Sequence, residues 1–234
     1  MDRFRKLFSA AALAGLIAGL FVTGLHQIGT VPVILEAETY EKTGEAPAAA
    51  TADAMPDMTG HDHGAGTWEP AGGLERTAFT VLVDILTGIG FALLLVSAYA
   101  LRGQGMDWRK GLVWGLAGFA VFTLAPGLGL PPELPGTEAA PLLDRQLWWV
   151  AAVVATAAGL AGLVFGRKPL WVVLGIAAMV APHLYGAPQP AEFNSLAPES
   201  LAHQFVVAAV VTSLLFWLAL GSLTGFFYKR FFAA

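Results

Sequence analysis

The sequence predicts an all-α integral membrane protein, a single transmembrane domain over residues 1–234 built as a bundle of about six helices. Composition is the first sign: 56% of the 234 residues are hydrophobic and only 13% are charged, whereas a soluble domain carries about a quarter charged residues. The second is clustering. Apolar residues gather at about 7–28, 77–101, 110–128, 147–166, 169–184 and 204–227, most of these runs being near the roughly twenty residues that span the hydrocarbon core as a helix. The third is charge. With the N-terminus placed inside, ten of the thirteen Lys and Arg residues fall in 1–6, 102–110, 166–169 and the tail after Tyr228, as the positive-inside rule requires.

The first apolar run follows the basic start MDRFRK. It is longer than the apolar core of a signal peptide, and no small-x-small cleavage site follows it. It therefore reads as a retained helix. The fourth and fifth runs are joined only by Gly-Arg-Lys-Pro at 166–169, which makes them an antiparallel hairpin. The fifth is short and ends at Pro182, so it reads as a short span or, if re-entrant, reduces the count to five. Lys229 and Arg230 after the last run favour six.

Fourteen of the seventeen acids, against Lys42, Arg76 and Arg145, fall in the outer loops and give that face a formal charge of −11. Such a surface concentrates cations. The long first outer loop, 29–76, is acidic, contains His and Met, and is rich in Ala, Gly, Pro and Thr, so it is expected to be largely disordered. The segment LAPGLGLPPELPG (124–136) carries Pro126, Pro131, Pro132 and Pro135, which preclude a regular helix. With APHLYGAPQP (181–190) it suggests a stiffened cap on the outer face, with Trp148 and Trp149 as interfacial anchors.

All five histidines lie at or beyond the outer membrane face in this topology. Neutral imidazole is a common ligand for divalent transition metals. His26 closes the first run on a face shared with Gly15, Gly19 and Val22, and small residues mark close helix contacts in membranes. His183 ends the fifth run. His203 opens the sixth, four residues after Glu199, so the two share a helix face. Asp84 lies within the second run, on a face continuing through Thr87, Gly88 and Phe91. A carboxylate at that depth is expensive and points to a cavity or partner. In MPDMTGHDHG (55–64), His61 and His63 flank Asp62, and Met55 and Met58 add soft thioethers that suit copper(I). The expected metal ligands are therefore His26, His61, His63, Asp84, His183, Glu199 and His203. The helix-end histidines are expected to converge on one mouth, with the loop as a collector.

The chain has no cysteine, which excludes disulfides, thiolate sites and iron–sulfur clusters. No Walker phosphate loop, H-E-x-x-H or G-x-S-x-G is present, and no nucleophilic constellation is seen, so enzyme activity and a resident cofactor are not expected. The basic residues are short helix-flanking clusters and do not suggest nucleic acid. Histidines at one face allow at most an outer haem.

LAPGLGLPPELPG, RQLWW (145–149) and PHLYGAPQP (182–190), with His26 closing a glycine-rich first run and an HDH-bearing first loop, resemble the CbtA family of predicted cobalt transporter subunits over essentially the whole chain. The resemblance implies a multi-pass protein of the bacterial cytoplasmic (inner) membrane that imports Co²⁺ for cobalamin synthesis. It also implies a small one-span, histidine-bearing companion, CbtB. Nickel is the alternative ion. A copper-handling membrane protein and a non-conducting structural subunit are the alternative functions.

Overall fold

The computed structural model describes residues 2–44, 70, 72–103, 105–191 and 194–232. Its elements are helices α1 (Asp2–Ile28), α2 (Thr30–Gly44), α3 (Leu74–Arg102), α4 (Trp108–Phe119), a π-helical turn (Ala120–Leu124), the one-turn α5 (Ala125–Gly127), α6 (Leu142–Phe165), α7 (Pro169–Tyr185) and α8 (Glu199–Phe232). Five helical stretches are long and apolar enough to cross a membrane, with α4, the π turn and α5 forming one of them, and α7 is a shorter apolar helix of 17 residues. The protein is an all-α membrane bundle. The fifth run does not turn back. α7 runs beside α6 from the turn at 166–169 to the level of Trp148, whose indole N–H donates to the Pro182 carbonyl at 3.1 Å.

Lipid tails give apolar helices no hydrophobic reason to associate, so backbone contact through small residues does much of the work. Three helix pairs share this device. Gly15 and Gly19 of α1 lie against the backbone of Asp84, Ile85, Gly88 and Ile89 on α3. Gly111 and Gly115 of α4 lie against Trp217, Gly221 and Gly225 of α8. Gly159 of α6 meets Gly175 and Met179 of α7. A methyl group at Gly15, Gly111 or Gly221 would collide with backbone atoms of the facing helix. The α1–α3 and α4–α8 pairs then join through the main core, where Ala10, Ala14, Ala18, Val96, Tyr99, Phe216, Trp217 and Leu220 are buried.

The basic ends of the helices lie together. Lys6 stands over the Phe232 ring at 5.9 Å, and Arg102 stands over Phe165 at 4.6 Å. Tyr99 bonds Thr224 at 3.0 Å and packs edge-on against Tyr228. The start of α1, the end of α8, the end of α3 and the end of α6 thus share one face of the bundle.

The opposite face carries a cap. Glu138 N–H donates to Asn194 O at 2.9 Å, and Thr137 and Ser195 form an isolated antiparallel bridge. The two proline-rich connections are therefore laced together. Residues 30–44 form helix α2 where a disordered loop was expected. α2 seats Ala37 against Leu134, Ala197 and Leu201, and Glu38 pairs with Arg76 at the start of α3. Val33, Ala37 and Tyr40, at steps of four and three, make the apolar stripe that docks it. Met55, Met58, His61 and His63 lie outside the described residues.

Candidate metal site

The α1–α3 glycine contact fixes the site. Because Gly19 rests on Ile85 and the Asp84 carbonyl, the next turn of α1 falls beside the Asp84 side chain. Thr23, four residues beyond Gly19, places Oγ1 2.8 Å from Asp84 Oδ2. His26, one turn further, places Nε2 3.8 Å from Asp84 Oδ1. The two side chains keep only 30% and 15% of their accessible surface, respectively. The other ring nitrogen of His26, Nδ1, is 2.8 Å from Thr30 Oγ1 at the start of α2.

This pair lines a cavity of about 470 Å³ between α1, α2, α3, the π turn and α8. Its wall is rich in hydroxyls: Thr30, Thr80, Thr87, Thr123, Thr212 and Ser213. Arg76 stands at the capped end, and Phe91, Phe122, Phe216 and Trp217 line the other. Those four rings pack on one another, Phe122 stacking on Trp217 at 5.6 Å and Phe91 lying 4.8 Å from Trp217. They close the cavity toward the Tyr99–Thr224 layer. The π turn supplies Phe122 and Thr123 to this wall. Pro126 has no N–H for an α-type bond to the Phe122 carbonyl, and the Ala125 N–H reaches back to Ala120 O instead. π turns inside helices occur frequently at functional positions. Thr123 Oγ1 meets Ser213 Oγ at 2.8 Å and ties the turn to α8.

Nitrogen and oxygen donors of this kind suit divalent first-row metals. Bonds of about 2.1 Å from one ion to an imidazole nitrogen and a carboxylate oxygen, at a tetrahedral angle, set the donors about 3.4 Å apart. The observed 3.8 Å between His26 and Asp84 is within a few tenths of an ångström of that span. It is too long for a hydrogen bond between them. Two protein donors with hydroxyls nearby leave coordination positions for water, which suits an ion that must be released.

Among the described residues the other expected ligands are dispersed. His183 does not join His26. Its Nδ1 lies 3.0 Å from Met179 O and its Nε2 3.0 Å from Ala125 O, with Trp148 edge-on at 5.7 Å. Both nitrogens face backbone carbonyls, and the ring clasps α7 to α5. Glu199 and His203 both sit in the first turns of α8 and are exposed. Among the described residues no group of three His, Asp or Glu side chains could hold a metal ion. The mouth of converging histidines expected from the sequence is therefore replaced by one His–Asp pair with its threonines. Thr23 and Thr30 were not foreseen. The spacing Gly15, Gly19, Thr23 at steps of four was the signal for the first, and Thr30 at four residues past His26 for the second.

A family model described as "Probable cobalt transporter subunit (CbtA)" matches residues 4–229. No curated protein and no solved structure matches the chain.

Proposed function

The chain belongs to the CbtA family of probable cobalt transporter subunits, and from that premise we propose that His26 and Asp84 are the ligands through which it takes up a divalent cobalt ion. The observation that carries this reading is the 3.8 Å approach of a ring nitrogen and a carboxylate oxygen inside a hydroxyl-lined cavity within the bundle. The acidic face gathers cations. His61 and His63 act as weak collectors, and exposed Glu199 and His203 add to the same field. The ion then passes to the pair. Both termini lie in the cytoplasm of a bacterial cell, with the basic end inward. Transport runs inward across the cytoplasmic membrane and supplies cobalamin synthesis, with nickel as the alternative cargo. An inward-negative potential favours entry of a dication by about 4.6 kcal/mol per 100 mV. A one-span, histidine-bearing companion of the CbtB type completes the transporter.

A copper(I) reading would require soft sulfur donors at the site. The donors that line the cavity among the described residues are an imidazole, a carboxylate and hydroxyls, which suit a divalent ion. The test is radioactive cobalt accumulation in cells lacking other importers, with the chain expressed alone and with a companion subunit. The expected result is uptake that His26→Ala and Asp84→Asn abolish without loss of membrane-inserted protein. Uptake unchanged in both variants would refute the site. No uptake by the wild-type chain in either arrangement would favour a structural or copper-handling role.

A further inference from the structure

We propose that Thr30 is a positioning residue that fixes the tautomer of His26, holding the ring proton on Nδ1 and turning the Nε2 lone pair toward the cavity. This rests on the reading of His26 and Asp84 as the metal pair.

Thr30 is buried, with 5% of its surface accessible. Its hydroxyl lies 2.8 Å from His26 Nδ1 and 3.5 Å from the His26 carbonyl oxygen, which can accept its proton. A hydroxyl has one proton to give and lone pairs to receive with. Both contacts are satisfied together only when Thr30 donates to the carbonyl and accepts from an Nδ1–H. The opposite tautomer would carry its proton on Nε2, aimed at Asp84 Oδ1 across 3.8 Å. That separation is beyond hydrogen-bond reach, so the arrangement would leave the Nε2–H without a protein acceptor at bonding distance.

With the proton on Nδ1, the Nε2 lone pair and the carboxylate oxygen face each other across a gap of cation size. The other carboxylate oxygen is engaged by Thr23. Each ligand thus has a hydroxyl behind it, the arrangement by which outer groups orient metal-binding side chains. The fold dictates the Thr30 contact. Gly29 N–H still donates to Leu25 O at 2.9 Å, so the helical path continues through the junction of α1 and α2. Thr30 then stacks one turn above His26, as residues four apart do. The docking of Ala37 on Leu134 and Leu201 holds α2 there.

The experiment uses the full chain purified in detergent with ¹⁵N-labelled histidine, Co²⁺ alone as the titrant, and tautomers read from imidazole nitrogen shifts before metal is added. Wild type is expected to show the Nδ1–H form at His26, assigned by its loss in His26→Ala. Thr30→Val is expected to lose that preference and to bind Co²⁺ about 10–100-fold more weakly, the range for loss of such a partner. Thr30→Ser is expected to restore both. If Thr30→Val keeps wild-type tautomer and affinity while His26→Ala loses binding, the inference fails and the metal pair stands. Weaker binding in Thr30→Val without a tautomer change, and without recovery in Thr30→Ser, also overturns it. Wild-type affinity in His26→Ala overturns the metal pair and the inference together.

Discussion

Thr23 of α1 reaches Asp84 of α3 at 2.8 Å, one turn beyond the point where Gly19 meets the backbone of Asp84 and Ile85. The same hydroxyl lies 3.0 Å from Gly19 O, and with a single proton it cannot donate to both. Asp84 Oδ2 is the nearer of the two oxygens. Thr23→Val keeps the shape and removes the bond. Hydrogen bonds between membrane helices are worth about 0.6 kcal/mol on average and up to about 1.7. The expected outcome is therefore a Co²⁺ affinity a few-fold weaker, with the bundle still folded. Titration of the purified chain together with its melting curve checks this, and unchanged affinity would mean that Asp84 is oriented without Thr23.

Gly19 and Gly24 lie on one helix and predict opposite outcomes. A side chain at Gly19 would meet Ile85 and the Asp84 carbonyl within 3 Å, whereas Gly24 has open space. Gly19→Val should push α1 from α3, cost about 1–3 kcal/mol as overpacking does, and separate Thr23 and His26 from Asp84. Gly24→Ala should leave both stability and cobalt uptake near wild type. Thermal unfolding in detergent, paired with uptake in cells, reads both.

This pair also shows what was legible beforehand. Gly15, Gly19 and His26 on one face of α1, and Asp84, Thr87, Gly88 and Phe91 on one face of α3, follow from helical spacing alone. The docking of those faces on each other does not, because periodicity orients a face without naming its partner. α2 was hidden by composition. TVPVILEAETYEKTG is acidic and polar and carries Pro32, and its helix depends on packing against Leu134 and α8, which local propensity cannot report. His183 was misleading for a different reason. Its place at the outer end of the fifth run suggested a shared site, but its nitrogens face carbonyls of Met179 and Ala125. A backbone carbonyl that accepts a side-chain proton leaves no pattern in residue types.

Asp107 sets the start of α4 on the basic face. Its carboxylate accepts from the Arg109 and Lys110 amides at 2.9 and 3.0 Å. The Lys110 amide is the main cause holding its pKa below the ordinary 3.8; desolvation, the next largest effect, opposes it, and the Arg109 amide and the charges of Lys110 and Lys229 add to the lowering. A folded-state value lower than the unfolded one means the cap's contribution is complete above pH 3.8 and is lost as pH falls through the lower folded value. Amide exchange at Arg109 and Lys110, corrected for intrinsic rates, should therefore accelerate only in that acid window. Asp107→Asn keeps a capping oxygen and should flatten the pH dependence. Equal acid sensitivity in wild type and Asp107→Asn would assign the change to another group.

His183 and His26 separate clasp from ligand. His183 joins the end of α7 to Ala125 beside the Trp148–Pro182 bond, and the α6–α7 hairpin is anchored at this end of the bundle by these contacts and the Arg145–Glu133 pair at 2.8 Å. His183→Ala removes a hydrogen bond to a backbone carbonyl and a ring packed against Trp148, while His26, Asp84 and their threonines lie on other helices. The expected outcome is a loss of about 0.5–1.5 kcal/mol in stability, the net worth of a hydrogen bond, with half-saturating cobalt unchanged. Trp148→Phe, which removes the neighbouring indole donor, should lower the melting temperature in the same way without touching affinity. His26→Ala should do the reverse, with little change in melting and loss of binding. If His183→Ala instead weakened cobalt binding as much as His26→Ala at equal stability, the helix-end histidines would act together as ligands, and the carbonyl clasp would be a resting arrangement from which His183 turns toward the ion.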